Sequence, residues 1–116
     1  MRREPQVYLW DARRAAEAIA TFVRGKTFEE FSTDILLRSA VERQFEIVGE
    51  ALSQLSKNHP EIAAGVPDLP RIVAFRNILI HGYAAIDRAI VWRVAQENLP
   101  PLTEILAMLL RGMDDT

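Results

Sequence analysis

The chain has no cysteine, which excludes a disulfide framework and thiolate metal sites. Histidine is nearly as scarce. His59 and His81 are the only two, and neither stands in a His/acid cluster at ligand spacing, so no metal centre is expected. No apolar run is long enough to span a membrane. The amino terminus, Met1-Arg2-Arg3-Glu4-Pro5, leads into an amphipathic pattern without an apolar leader core. These absences point to a cytoplasmic protein. No segment sustains two-residue alternation, which argues against strands, and there is no internal repeat or low-complexity tract. A strong charge excess is missing too: the net charge is −2, whereas a dedicated nucleic-acid binder is usually basic.

What the chain does have is a helical pattern in 116 residues, 49% of them hydrophobic and 26% charged. That size and composition fit a single globular domain over residues 1–116. Val7, Trp10, Ala15, Ala18, Ile19 and Phe22 recur near a 3.6-residue period and predict a first helix over about 6–23, stopped by Gly25. Thr27 followed three residues later by Glu30 is a capping-box pattern. It opens a long second helix, about 28–57, with a bend near Ser32-Thr33. Leu37, Val41, Phe45, Val48, Leu52 and Leu55 form one apolar stripe on it, and Leu36, Ala40, Ile47 and Ala51 form a second. One stripe suffices for packing on the first helix. The second faces either the same core or a further partner. Gly49 inside this helix costs about 1 kcal/mol relative to alanine, which a close helix approach would explain.

Asn58-His59-Pro60 breaks the helix, and the Gly65 to Pro70 segment is the clearest loop. Pro70 suits the first turn of a third helix that runs to Ile80 or His81 and ends at Gly82. Asp87 caps a fourth helix over 88–96. Asn98-Leu99-Pro100-Pro101 punctuates again before a last helix ending at Gly112. The expected architecture is all-α, a bundle of about five helices with a long second one.

The stretch Arg76-Asn77-Ile78-Leu79-Ile80-His81-Gly82-Tyr83 sets a cation, an amide, an imidazole and a phenol around an aliphatic middle that reads as buried. Asn77 and His81, four residues apart, share a helix face. The set holds no carboxylate until Asp87, so it suits an anion, a phosphodiester above all. Arg76 can bond two phosphate oxygens through its planar fork, and the His81 imidazole is a side chain that can move a proton. From Arg71 to Arg93 the arginines 71, 76, 88 and 93 face only Asp87, whereas 27–61 is rich in acids: Glu29, Glu30, Asp34, Glu42, Glu46, Glu50 and Glu61. Arginines that converge locally can hold a phosphate even in an acidic protein.

RNA cleavage by attack of a ribose 2′-hydroxyl needs a base, an acid and charge stabilisation at phosphorus, none of which requires a metal. One imidazole supplies one proton-transfer group, and a two-fold dimer would supply two. Spacing alone leaves other readings open. Arg76 and His81 could be a helix cap or a satisfied structural pair in a purely structural dimer, or part of a non-catalytic module that presents substrate or nucleotide to a nucleotidyltransferase. His59 reads as a solvated residue at a helix terminus, and Trp10 and Trp92 as core or interface aromatics.

Residues 76–83 also match the R-x4-H-x-Y motif of the HEPN superfamily (higher eukaryotes and prokaryotes nucleotide-binding). More closely the chain resembles the HepT toxins, or DUF86 family. Glu29-Glu30-Phe31 is similar to the family's opening of the long helix, and Val41-Glu42-Arg43-Gln44-Phe45-Glu46-Ile47-Val48-Gly49-Glu50-Ala51 to its R-Q-x-E-x-I-G-E-A segment, with Val48 for the usual Ile. Val91-Trp92 and Asn98-Leu99-Pro100 are similar to the pattern downstream. In place of the family's Pro-Trp before the motif helix, this chain has Leu69-Pro70-Arg71. The resemblance implies a homodimeric, metal-independent endoribonuclease toxin of a type VII toxin–antitoxin system, with no cofactor and with Arg76 and His81 in a cleft at the dimer interface. It further implies an MntA-type nucleotidyltransferase antitoxin that transfers AMP to Tyr83.

Overall fold

Helix α1 spans Pro5–Val23 and opens with a proline, whose fixed φ and missing N–H suit a first turn. The computed structural model describes residues 4–82 and 86–114. Leu9, Ala12, Ala16 and Ile19 are fully buried along the inner face of α1; of the apolar positions read from the sequence, Ala15 and Ile19 are buried there, whereas Trp10 is exposed. Gly25 follows at φ 74°, a left-handed turn that costs glycine little.

The capping box forms as expected. The Glu30 N–H donates to Thr27 Oγ1 at 3.1 Å, and the Thr27 N–H donates to Glu30 Oε1 at 3.0 Å. The Thr27 backbone bond, followed by the threonine side chain, holds the Glu30 carboxyl below its ordinary range. The helix it opens is short, however: α2 spans only Phe28–Thr33, and α3 runs separately over Ile35–Asn58. The expected bend is therefore a break. Asp34 is extended, and its carboxylate accepts from the N–H groups of Leu36 and Leu37 at 3.0 and 3.1 Å. An aspartate satisfying two orphan donors starts a new helix more readily than it continues an old one.

Helix α3 is the axis of the fold. It packs against α1 on one side and against α5 (Leu69–His81) on the other, with the single turn α4 (Pro60–Ala63) between α3 and α5 in sequence. Both apolar stripes find partners inside the chain. Phe45 packs edge-to-face on Phe75 of α5 at 5.2 Å, and Ala51 is buried on the side where Tyr8 of α1 lies. Only the N-terminal end of the second stripe stays open, where Leu36 is 78% exposed.

The segment after Asp87 departs from expectation. Helix α6 (Arg88–Arg93) continues through a π-helical turn, Val94–Asn98, into α7 (Leu99–Asp114). Pro100 and Pro101 do not break the chain there; they occupy the first turn of α7. The Leu99 N–H reaches back five residues to the Val94 carbonyl. Such a widened turn relieves the clash and the lost donor that a proline imposes on a regular helix. Helix α7 then packs on α1, closing a core that includes Leu9, Phe31, Leu52, Leu55 and Leu106. Trp92 is half-buried against Phe31, with ring centroids 5.3 Å apart. Trp10 is exposed and carries the Arg14 guanidinium over its ring at 5.1 Å. His59 is partly buried at the α3–α4 junction, with its ring near that of Tyr8. No helix among the described residues is long and apolar enough to cross a membrane.

The α3–α5 contact is closest at Gly49. A Cβ built there would stand 2.6 Å from Arg76 Cγ and nearer still to Arg76 Cβ. This close approach accounts for a glycine in mid-helix. Gly49→Ala should therefore destabilise the protein by about 1–3 kcal/mol through overpacking, although alanine is the better helix former by about 1 kcal/mol. Urea unfolding of the two proteins measures the sign; equal or raised stability would remove the close-approach account.

Candidate active site

Helix α5 carries the stretch from Arg76 through to its last residue, His81, with Gly82 closing it by an N–H bond to the Ile78 carbonyl at 2.8 Å. Its N-terminus is set by Asp68, which takes a left-handed φ of 60° and makes no side-chain cap, and by Pro70 in the first turn. Asn77 and His81 are exposed and lie one turn apart on the same side of the helix. Neither side chain is bonded to another described residue.

Arg76 goes elsewhere. Five residues at about 100° each place it about 140° around the helix from His81, and it turns toward α3. Its Nη1 donates to Glu50 Oε2 at 2.6 Å. The arginine side chain is 16% exposed and the glutamate side chain 54%. Arg76 Nε is buried with no hydrogen-bond partner. The reading that no carboxylate enters the set before Asp87 is thus corrected: Glu50 lies 26 residues earlier in the chain and reaches Arg76 across the helix interface. Sequence offered one pointer to it, the adjacent Gly49, whose cost in a helix already asked for a close neighbour. Within one chain, then, Asn77 and His81 come together, and Arg76 joins Glu50. Tyr83 lies outside the described residues.

The aliphatic middle is also corrected. Leu79 is buried, but Ile78 is 57% exposed and Ile80 is 41% exposed. Three consecutive residues cover about 200° of a helix, so only the central one can face α3 while its neighbours diverge to either side. Beyond Ile78, a groove of about 560 Å³ opens between α5 and the start of α7, lined by Phe45, Phe75, Val94, Leu102 and Ile105.

Charge is arranged in complementary strips. Partly buried Glu42 on α3 is pushed above the ordinary carboxylate range, first by burial and also by the like charge of Glu46. Arg38 and Arg88 pull it the other way. The Arg38 and Arg88 guanidiniums both donate to the Ser32 carbonyl, which ties α6 to the α2–α3 junction. Among the described residues no three His, Asp or Glu side chains gather closely enough to hold a metal ion.

The model of the family described as "Ribonuclease HepT-like" matches residues 12–109. The chain belongs to the HepT-like ribonuclease family. It is 36% identical over 105 residues to "Probable ribonuclease HepT" of Thermococcus cleftensis, covering 88% of this chain and 92% of that one. It is 32% identical over 101 residues to "Putative RNase MJ1380" of Methanocaldococcus jannaschii, covering 87% and 92%. With "Putative RNase TTE0752" of Caldanaerobacter subterraneus it shares 31% identity over 109 residues, covering 94% and 96%. No solved structure matches the chain at a significant level. The all-α bundle around a long helix agrees with the HEPN-type architecture that the motif implied. Family membership supports ribonuclease activity at the level of the family.

The raised Glu42 carboxyl has a consequence for stability. The unfolded chain releases this proton at lower pH than the folded one, so ionisation costs folding free energy as pH rises through the carboxylate range. Glu42→Gln removes that cost. The variant should melt at a higher temperature than wild type at pH 7, with the difference closing below about pH 4; thermal unfolding across that range measures it.

Proposed function

We propose that this protein is a metal-independent endoribonuclease toxin of the HepT/MntA type, acting in the cytoplasm as a homodimer. One observation carries the reading to this chain: α5 exposes His81 and Asn77 on one side, between two exposed isoleucines, in a member of a ribonuclease family. An imidazole accessible to solvent can exchange protons with a substrate. The flanking apolar surface, with the groove beside it, suits a second copy of the chain better than the α3 stripe does, since α1 and α5 take up most of that stripe.

In the proposed reaction one His81 takes the proton from a ribose 2′-hydroxyl as its oxygen attacks phosphorus. The His81 of the second copy gives a proton to the departing 5′-oxygen, leaving a 2′,3′-cyclic phosphate and a 5′-hydroxyl. Protons balance, and no group outside the two chains is consumed. Arg76 stabilises charge on the phosphorane, a stronger demand in the transition state than in the ground state. Asn77, one turn from His81, orients the substrate or the imidazole. Tyr83 follows the helix end by two residues and is the proposed target of AMP transfer by a nucleotidyltransferase antitoxin. Each AMP adds an anionic phosphodiester two residues along the chain from His81, where it would compete with RNA phosphate.

His81→Ala should lower cleavage of a single-stranded RNA by at least about 100-fold in the presence of chelator, while sedimentation shows an unchanged dimer. Cleavage at the wild-type rate would remove His81 from the reaction. RNA binding without cleavage by the wild-type protein would favour the binding-module reading. Incubation with ATP and the cognate transferase should add AMP masses that disappear in Tyr83→Phe; a label that persists lies on another residue.

A further inference from the structure

The resting partner of Arg76 is Glu50, and the surroundings of this pair are more restrictive than a surface ion pair requires. Exposed pairs contribute little to stability, and Glu50 itself is mostly open to water. Yet the arginine end is enclosed: its stem lies where the missing Cβ of Gly49 would be, and its Nε is buried. The 2.6 Å bond to Nη1 is short, as charge-assisted bonds are. Arginine has four flexible side-chain torsions, and the Gly49 notch restrains only those near the backbone. Glu50 is the one described group that fixes the guanidinium end.

We propose that Glu50 is a positioning residue for Arg76: its carboxylate holds the guanidinium in one orientation, so that the remaining N–H donors meet the phosphorane without reorganising. This role rests on the ribonuclease reading above. With one Nη1 donor on Glu50 and Nε buried, three of the five guanidinium donors remain for phosphate. It also neutralises part of the charge of Arg76, which weakens attraction to ground-state RNA. Glu50 therefore acts mainly on the chemical step, where a misplacement of about 1 Å can cost on the order of 100-fold. The opposite role, a carboxylate that blocks the phosphate site, has the opposite signature and is an outcome of the same experiment.

The test uses the full chain with Glu50→Ala, Glu50→Gln and Arg76→Ala, and the Glu50→Ala/Arg76→Ala double variant, under single-turnover cleavage of a short RNA. Glu50→Ala should lower the cleavage rate constant by about 10–100-fold with little change in RNA affinity. Glu50→Gln, which keeps an acceptor oxygen, should recover part of the loss. In the Arg76→Ala background Glu50→Ala should have no further effect, since the residue acts only through the arginine. Exchange of the Arg76 Nε–H with solvent, followed by NMR, should quicken in Glu50→Ala while thermal stability is retained. Additive losses in the double variant, wild-type cleavage by Glu50→Ala, or a faster rate would each overturn the positioning role while leaving the ribonuclease reading intact. If wild-type protein fails to cleave RNA, both fall together, and Glu50-dependent exchange at Arg76 then marks the pair as structural only.

Discussion

The approach of α5 to α3 at Gly49 is the contact on which the site depends. Helix α5 has one firm neighbour among the described helices, α3, and its other flank opens into the apolar groove. Its orientation is therefore set along a single seam: Phe75 against Phe45, Leu79 in the core, and the stem of Arg76 in the notch left by the glycine. Because the packed interior resists small displacements, a helix seated this way presents Asn77 and His81 outward as a fixed pair. Any side chain at position 49 would lift the helix where the motif begins.

Electrostatics follows the same seam. Net charge hides the fact that the acid-rich and arginine-rich parts of the chain lie next to each other. Glu50 meets Arg76, and Glu42 lies within the field of Arg88 and Arg38. Neighbouring acids let arginines stay packed in a protein of slightly negative charge, and Arg76 is held without a basic surface around it. On the proposed reading, the consequence for RNA is a site with weak long-range steering and strong local order. Affinity for the chain as a whole is then a poor guide to what the arginine does once a phosphate is in place.

Much of this was legible in the sequence, and the misses share a cause. Local rules read the Thr27–Glu30 box, the end of α1 at Gly25, the start of α5 near Pro70 and its end at Gly82, since each depends on residues within one turn. The same rules underweighted Asp34, a helix start hidden inside a long apolar pattern. They also read Pro100-Pro101 as a break, because a π-helical turn has no periodic signature. The aliphatic run Ile78 to Ile80 reads as buried by composition, yet helical geometry allows only Leu79 to face the core. Glu50 is a tertiary partner 26 residues from Arg76, and no local pattern pairs them. Of the motif residues, Tyr83 is known from sequence alone.

The divergence of Arg76 from His81 bears directly on how many chains make a site. A phosphate held by Arg76 beside α3 and a proton moved by His81 on the far side of α5 belong to different surfaces of one molecule. On the proposed reading, a second copy related by a two-fold axis opposes the two α5 helices and brings both His81 imidazoles to one substrate phosphate held by arginine. That arrangement also answers the proton count, since one imidazole cannot be base and acid at once. Ile78 and Ile80 fit the same geometry: they diverge to either flank of the helix and leave apolar surface on both sides of the seam that a partner would cover. On the proposed reading, then, the exposure of Ile78 and Ile80, the clamping of Arg76 by Glu50 and the isolation of His81 are three aspects of a half-site completed by a second chain.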